Sequence, residues 1–296
     1  MNVFAASDDL KALVCSIEGE VLTLHPSVEK ESEGTILFEG KKFKSTKTKI
    51  GQHIDAKDVI MTASNGKAKV IYKTGDVIIV GPSSFFTLPH GLKVGSNGKQ
   101  AELVYGKIRA VINPSGPLSG VKIVTPSAVA GVRGTDFYIS FNPASQVTKV
   151  DTIRGVIQAE GSSTQKSVAV KAGETLETSK KDPAPAQAKK ADQEELGKVQ
   201  VDSSFVAEKQ PAEDVSPQAQ AEVQKANVQA QENILADIRH YDPKAAERLA
   251  SNKQSTTDDL NTASLYTVYS KAAPVQNKAP GKEDLLYEKY FKSLGY

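Results

Sequence analysis

From Val14 to about Thr178, apolar side chains recur at every second position in short runs cut by Gly, Asn, Asp and Pro. Period two is the signature of a half-buried strand. The series opens with Val14-Cys15-Ser16-Ile17 and Val21-Leu22-Thr23-Leu24, read as two short strands or one bulged strand. Val59 to Ala63 then faces Ala68 to Tyr72 across Ser64-Asn65-Gly66-Lys67. Asn-Gly tolerates the two positive φ angles of a type I′ turn, so a hairpin is predicted there. Tyr72-Lys73 turns through Thr74-Gly75 into Asp76 to Val80, making a meander whose middle strand puts Ala68, Val70 and Tyr72 on one face. Lys67, Lys69, Ile71 and Lys73 fall on the other. A second Ser-Asn-Gly-Lys at 96–99 precedes Leu103-Val104-Tyr105, and Gly106 opens a strand with Ile108, Ala110 and Ile112 inward and Lys107, Arg109 and Val111 outward. Further strands are predicted at Val121 to Val124, Phe137 to Phe141, Val147 to Ile153, Val156-Ile157 and Val168 to Val170. Pro126 marks a strand end, and Gly131 and Gly134 a bulge or corner.

The pattern changes after Ser179. Lys180-Lys181-Asp182-Pro183-Ala184-Pro185-Ala186 reads as an exposed linker. Ser216-Pro217 supplies an N-cap and first-turn proline for a helix from about Pro217 to Tyr241, with Val228, Leu235 and Ile238 as its apolar stripe. Asp242-Pro243 starts a shorter helix through Leu249. Tyr287, Tyr290, Phe291 and Leu294 lie at helical spacing beside Leu286, a face that must dock either on the chain's own β-domain or on a partner. The expected architecture is therefore an all-β domain over 14–178, a twisted sandwich or roll of short antiparallel strands. A flexible linker over 179–215 and a helical, partly disordered tail over 216–296 follow it. Residues 1–13 are either the remnant of an export signal, since Val3-Phe4-Ala5 has the small-residue form of a cleavage site, or a disordered amino terminus.

Composition sharpens this division. Of 21 glycines in 296 residues, only Gly197, Gly281 and Gly295 follow the β-region, so the glycines belong to its turns. One cysteine excludes a disulfide scaffold, and a net charge of +2 excludes nucleic-acid binding driven by gross charge. Locally the balance differs: residues 41–135 hold fifteen basic against four acidic side chains. Such a stretch is either a cationic face for an anionic partner or lysines on the solvent side of strands that discourage edge pairing. No segment is long and apolar enough to span a membrane, because Asn113, Pro114, Pro117 and Pro126 interrupt the least charged one.

Several elements recur in an order that resembles the FecR domain. They are Gly75-Asp76 before a strand, Gly106 opening another, and Thr125-Pro126 leading through Gly131 into Gly134-Thr135-Asp136-Phe137. A turn at Gly155-Val156 and a closing Ala172-Gly173-Glu174 complete the series. The resemblance covers roughly 14–178. It implies an all-β extracytoplasmic domain that senses or relays through protein contacts, in a periplasmic or secreted protein. Members that control a sigma factor carry an anti-sigma segment and a transmembrane helix ahead of this domain. Neither stands before Val14, and the resemblance is to stand-alone exported FecR-domain proteins. Within the motif, Thr125, Pro126, Gly131, Gly134, Thr135, Phe137, Gly155 and Gly173 are family-motif positions. Arg133 and Asp136 are candidate partner contacts, together with Leu286, Tyr287, Tyr290, Phe291 and Leu294. A structural role for the motif is the alternative, with Gly134 supplying a conformation closed to other residues, Thr135 bonding the neighbouring backbone and Phe137 packing the core.

Catalysis finds little support. His25, His53, His90 and His240 stand apart, with no H-E-x-x-H spacing, cysteine pair or G-x-S-x-G elbow, and Gly95 to Lys99 lacks the context of a phosphate loop. The reading is a non-enzymatic module without cofactor or metal. Its partner is another envelope protein, or alternatively an anionic envelope polymer such as peptidoglycan or lipopolysaccharide, and not nucleic acid.

Overall fold

A computed structural model describes residues 12–27, 34–90, 99–162, 167–181, 187–205, 216–241 and 243–251. In chain order the strands are β1 (Ala12–Glu18), β2 (Val21–Pro26), β3 (Thr35–Phe38), β4 (Lys41–Lys47), β5 (His53–Ile54) and β6 (Val59–Thr62). They continue with β7 (Lys67–Tyr72), β8 (Val77–Val80), β9 (Ser84–His90), β10 (Gln100–Val111), β11 (Lys122–Val124) and β12 (Ala128–Gly131). The last are β13 (Asp136–Asn142), β14 (Val147–Arg154), β15 (Val156–Gly161), β16 (Ser167–Lys171), β17 (Glu174–Ser179) and β18 (Lys189–Lys190). Among the described residues three helices follow: α1 (Gln193–Ser203), α2 (Pro217–Tyr241) and α3 (Pro243–Ser251).

These strands form two sheets. Sheet I runs β5-β1-β7-β8-β10-β13-β14-β17-β18. Sheet II runs β3-β4-β2-β6-β9-β10-β11-β12-β15-β16. Among the described residues every pairing is antiparallel except that of β10 with β11. The sheets face each other without closing into a barrel, as the predicted all-β sandwich or roll requires. They share β10: Gln100 to Tyr105 pair with β9 in sheet II, and Gly106 to Val111 pair with β13 in sheet I. Gly106 makes this crossing with φ of 91°. A Cβ there would run into the backbone of Ser83 and Ser84, so only glycine fits.

Apolar residues from both inner faces fill the space between the sheets. One end is aromatic, with Phe38 stacked on Phe85 at 4.2 Å between centroids and Tyr105 and Phe43 beside them.

The expected hairpin across Ser64 to Lys67 does not form. β6 pairs with β2 and β9 in sheet II, while β7 pairs with β1 and β8 in sheet I. Neither Asn65 nor Gly66 has positive φ, so the turn is not type I′. The segment is a corner that carries the chain from one sheet to the other, and it leans on the matching β1–β2 corner. Ala63 N donates to Glu20 O (3.0 Å) and Glu20 N to Asn65 Oδ1 (3.4 Å). All four residues of β6 are buried, and splitting the strands between sheets covers both of its faces. The β7–β8 turn through Thr74-Gly75 forms as predicted.

A second apolar cluster lies on the outer face of sheet I. Leu13, Cys15, Ile71, Val77, Ile79 and Val111 meet Val223, Ala226, Ala230, Ile234 and Ile238 of α2, with Phe205 and Ala246. Helix α2 begins where predicted: Ala219 N donates to Ser216 Oγ (3.2 Å). Its buried stripe differs from the expected one. Ile238 belongs to it and Leu235 packs at its margin, but Val228 is 49% exposed. Alanines 226 and 230 let the helix lie close to the sheet, and Asn233 Nδ2 donates to Thr74 O (3.0 Å). Within the segment expected as linker, β18 extends sheet I beside β17 and α1 packs on the outer face.

Candidate interaction site

The family-motif residues gather at the corner where β12 of sheet II passes into β13 of sheet I. Thr125 prepares the entry. Its Oγ1 accepts from Ala128 N (2.9 Å) and shares a proton with Thr148 Oγ1 (2.6 Å), which also meets Ser127 Oγ (2.6 Å). The carbonyl oxygen of the half-buried Pro126 accepts from Ser162 Oγ (3.3 Å). Gly131 ends β12 opposite Gln158. Gly134 then turns with φ of 63° against the ring of Pro114, leaving no room for a Cβ. Thr135 is buried, and its carbonyl accepts from Ile112 N (2.8 Å). Phe137 enters the inter-sheet core. Gly155, the corner from β14 to β15, packs on Gly134 and Thr135, and Gly173 N donates to Thr152 O (2.8 Å). The motif thus interlocks corners rather than lining a cleft.

Its two candidate partner contacts part ways. Arg133 is exposed at the tip of the corner. Asp136 is wholly buried and takes a two-pronged ion pair from Arg109 of β10, itself only 3% exposed: Nε to Oδ1 at 3.0 Å and Nη2 to Oδ2 at 2.9 Å. Asp136 therefore ties β13 to β10 and presents no carboxylate to solvent. Arg109 had been placed on the solvent side of its strand, and a helix covers it. Leu286, Tyr287, Tyr290, Phe291 and Leu294 lie outside the described residues, as do residues 1–11.

That covering helix organises the most chemically specific surface of the described residues. Lys69, Ile79, Arg109 and Tyr138 stand side by side across β7, β8, β10 and β13. The carboxyl end of α1 settles on this row. Lys67 Nζ donates to Val201 O (3.0 Å) and Ser204 O (2.7 Å), while also reaching Glu18 (3.4 Å). Tyr138 OH donates to Asp202 Oδ2 (2.6 Å), with Lys107 Nζ at 3.4 Å from the same oxygen. Arg109 Nη1 donates to Ser203 Oγ (3.2 Å), and Lys69 Nζ lies 5.4 Å from the centre of the Phe205 ring. Cations around a helix carboxyl terminus complement its dipole and its unsatisfied carbonyls. Four of the fifteen basic side chains in the cationic stretch are thereby engaged by the chain itself. Lys41, Lys44, Lys47 and Lys49 remain exposed along and just beyond β4.

Two buried carboxylates hold loops of the domain. Asp76, in the Gly75-Asp76 pair, accepts from Asn113 N (2.6 Å) and Leu118 N (3.2 Å) and so pins the loop between β10 and β11. Burial pushes its pKa up, against the pull of those two N–H groups. A cavity of about 130 Å³ lies beside this loop, between Gly75, Asn113, Pro114 and Arg154 and the α2 residues Asn233 and Ala236. Asp58 accepts from Asp55 N (3.0 Å) and meets His25 Nδ1 (3.0 Å), whose Nε2 lies 3.3 Å from Thr46 Oγ1. Burial raises the Asp58 pKa, and the Asp55 N–H and His25 oppose the shift. His25 had been read as standing apart; the contact joins β2, β4 and the β5–β6 turn over a separation that no local pattern announces.

Residues 58–158 match the family model described as FecR protein. The stretch runs from the approach to β6 into β15, and it contains the interlocked corner, Asp76, Gly106 and the Arg109–Asp136 pair. Over those residues the β-region is thus similar to the FecR family. The strands on either side, β1 to β5 and β16 to β18, pair into the same two sheets. No curated protein matches the chain. Among solved structures, it is similar to two crystal structures of "a putative anti-sigma factor" from Parabacteroides distasonis ATCC 8503, each at 14% identity and a TM-score of 0.40. Each alignment covers 48% of this chain and 64% of the other, so this chain spans less than two thirds of those chains' length.

Proposed function

We propose that this protein is a non-catalytic interaction and signal-sensing module of the bacterial cell envelope, periplasmic or secreted, that works by binding another envelope protein. The family match over residues 58–158 carries the reading. Supporting it, the most specific polar surface on the β-domain is one that grips a peptide segment, namely the end of α1. No helix among the described residues is long and apolar enough to cross a membrane. The test is photo-crosslinking in the producing cells, with the reactive side chain placed at Arg133 on the matched corner or at Val228 on the outer surface of α2. A discrete protein adduct specific to Arg133 is expected. Identical diffuse patterns at both positions overturn the reading.

A second reading rests on the exposed lysines of β4. In it the domain holds anionic envelope polymer through Lys41, Lys44 and Lys47. Co-sedimentation with peptidoglycan or lipopolysaccharide that falls with salt and with Lys→Glu changes at these positions selects it. Absence of binding at low salt removes it.

A further inference from the structure

The row of cations on sheet I has the chemistry of a receptor for one kind of ligand. Lys67 caps two carbonyls at the end of α1, a task that a glycine in the left-handed conformation often performs and that Ser203-Ser204-Phe205 does not supply. Lys107 and Tyr138 converge on one carboxylate, and Lys67 and Lys69 lie over one aromatic ring. The seat therefore recognises a helix carboxyl terminus, an aspartate in its last turn and an aromatic residue three positions later. Its present occupant depends on the seat for its own order. Helix α1 has 11 residues, below the length at which an isolated helix holds in water, and many of its contacts are polar and charge-assisted.

Resting on the interaction reading above, we propose that this seat is a second contact for the partner that meets Arg133. The partner docks there the carboxyl end of a helix of the same chemistry, Asp-x-x-aromatic, displacing α1. Binding and release of α1 are then one event. The charge on the seat fits such a ligand and disfavours a basic or purely apolar one.

The experiment uses the full chain and a fluorescent peptide of its own residues 188–205 as probe, read by anisotropy at low salt. In wild-type protein the tethered α1 occupies the seat. In the D202A/F205A variant the tethered copy is disarmed, and the added peptide is expected to bind at least about tenfold more tightly, because apparent affinity scales with the fraction of open sites. Adding K67Q and K107Q abolishes the gain, and a peptide carrying D202A and F205A does not bind. Circular dichroism and thermal melting confirm that each variant is folded, and K67R, which keeps the charge, restores part of the binding. Equal affinity of wild type and D202A/F205A, or binding indifferent to both lysines, overturns the assignment. A wild-type dimer that is lost in D202A/F205A overturns the partner in favour of a second copy of the chain. If the peptide binds but no adduct forms at Arg133 in cells, the interaction reading fails while the receptor chemistry stands. An adduct without peptide binding has the reverse meaning.

Discussion

Asp136 separates a ligand-binding motif from a structural one, and removing its carboxylate tests which it is. Asp136→Ala leaves Arg109 almost wholly buried, stripped of two charge-assisted bonds of 2.9 and 3.0 Å and left with Ser203 Oγ as a remaining acceptor. Abandoning one member of a buried pair costs about 3–5 kcal/mol, because the orphaned charge keeps its desolvation penalty. At about 2–4 °C per kcal/mol for a domain of this size, melting should fall by roughly 6–20 °C. The double variant R109M/D136L removes both charges and fills the space with apolar side chains, so it should be more stable than D136A alone. Urea unfolding followed by tyrosine fluorescence and circular dichroism measures all three proteins. A loss below about 1 kcal/mol in D136A, the range of an exposed ion pair, refutes the structural assignment. So does a double variant no more stable than D136A.

Two more outcomes follow from the same geometry. Gly106→Ala forces a Cβ into the backbone of Ser83 and Ser84 at φ of 91° and should cost at least about 1–3 kcal/mol in urea unfolding; a neutral effect would show that the sheet crossing is not confined to this residue. Asp76 has a folded pKa above its ordinary value of 3.8, so the unfolded chain gives up this proton first and stability falls as pH rises from 3.8 through the raised value. Asp76→Asn lowers stability overall but should remove that part of the slope, seen as a difference between wild-type and variant melting curves across the acid range; parallel curves would count against it.

Much of the β-domain was legible because burial between two sheets imposes period two. The inner residues Val70, Tyr72, Ile108, Ala110, Phe137 and Ile139 were all placed on the correct face. Helix α2 was legible from Ser216-Pro217, since capping is local. What failed needed knowledge of distant chain. Alternation assigned Lys69 and Arg109 to an outer face without showing that α1 and Phe205 return to cover it. Asn65-Gly66 favours a tight turn, but sheet membership of β6 and β7 is decided by β1, β2, β8 and β9. The alanines of the α2 stripe were missed because alanine counts as weakly apolar in a pattern, while in the structure its smallness is what lets helix and sheet approach. The motif glycines were recognisable by order alone, whereas their role as interlocked corners depends on contacts between segments distant in sequence.

The passage of β10 through both sheets makes it a lever with its fulcrum at Gly106. One arm carries Leu103 and Tyr105 into the aromatic end of the core; the other carries Lys107 and Arg109 to the seat of α1. The arm that carries these two cations is held by its ladder to β8 and β13, and the other by its pairing with β9. The grip on α1 and the packing around Phe85 thus draw on the two halves of one strand.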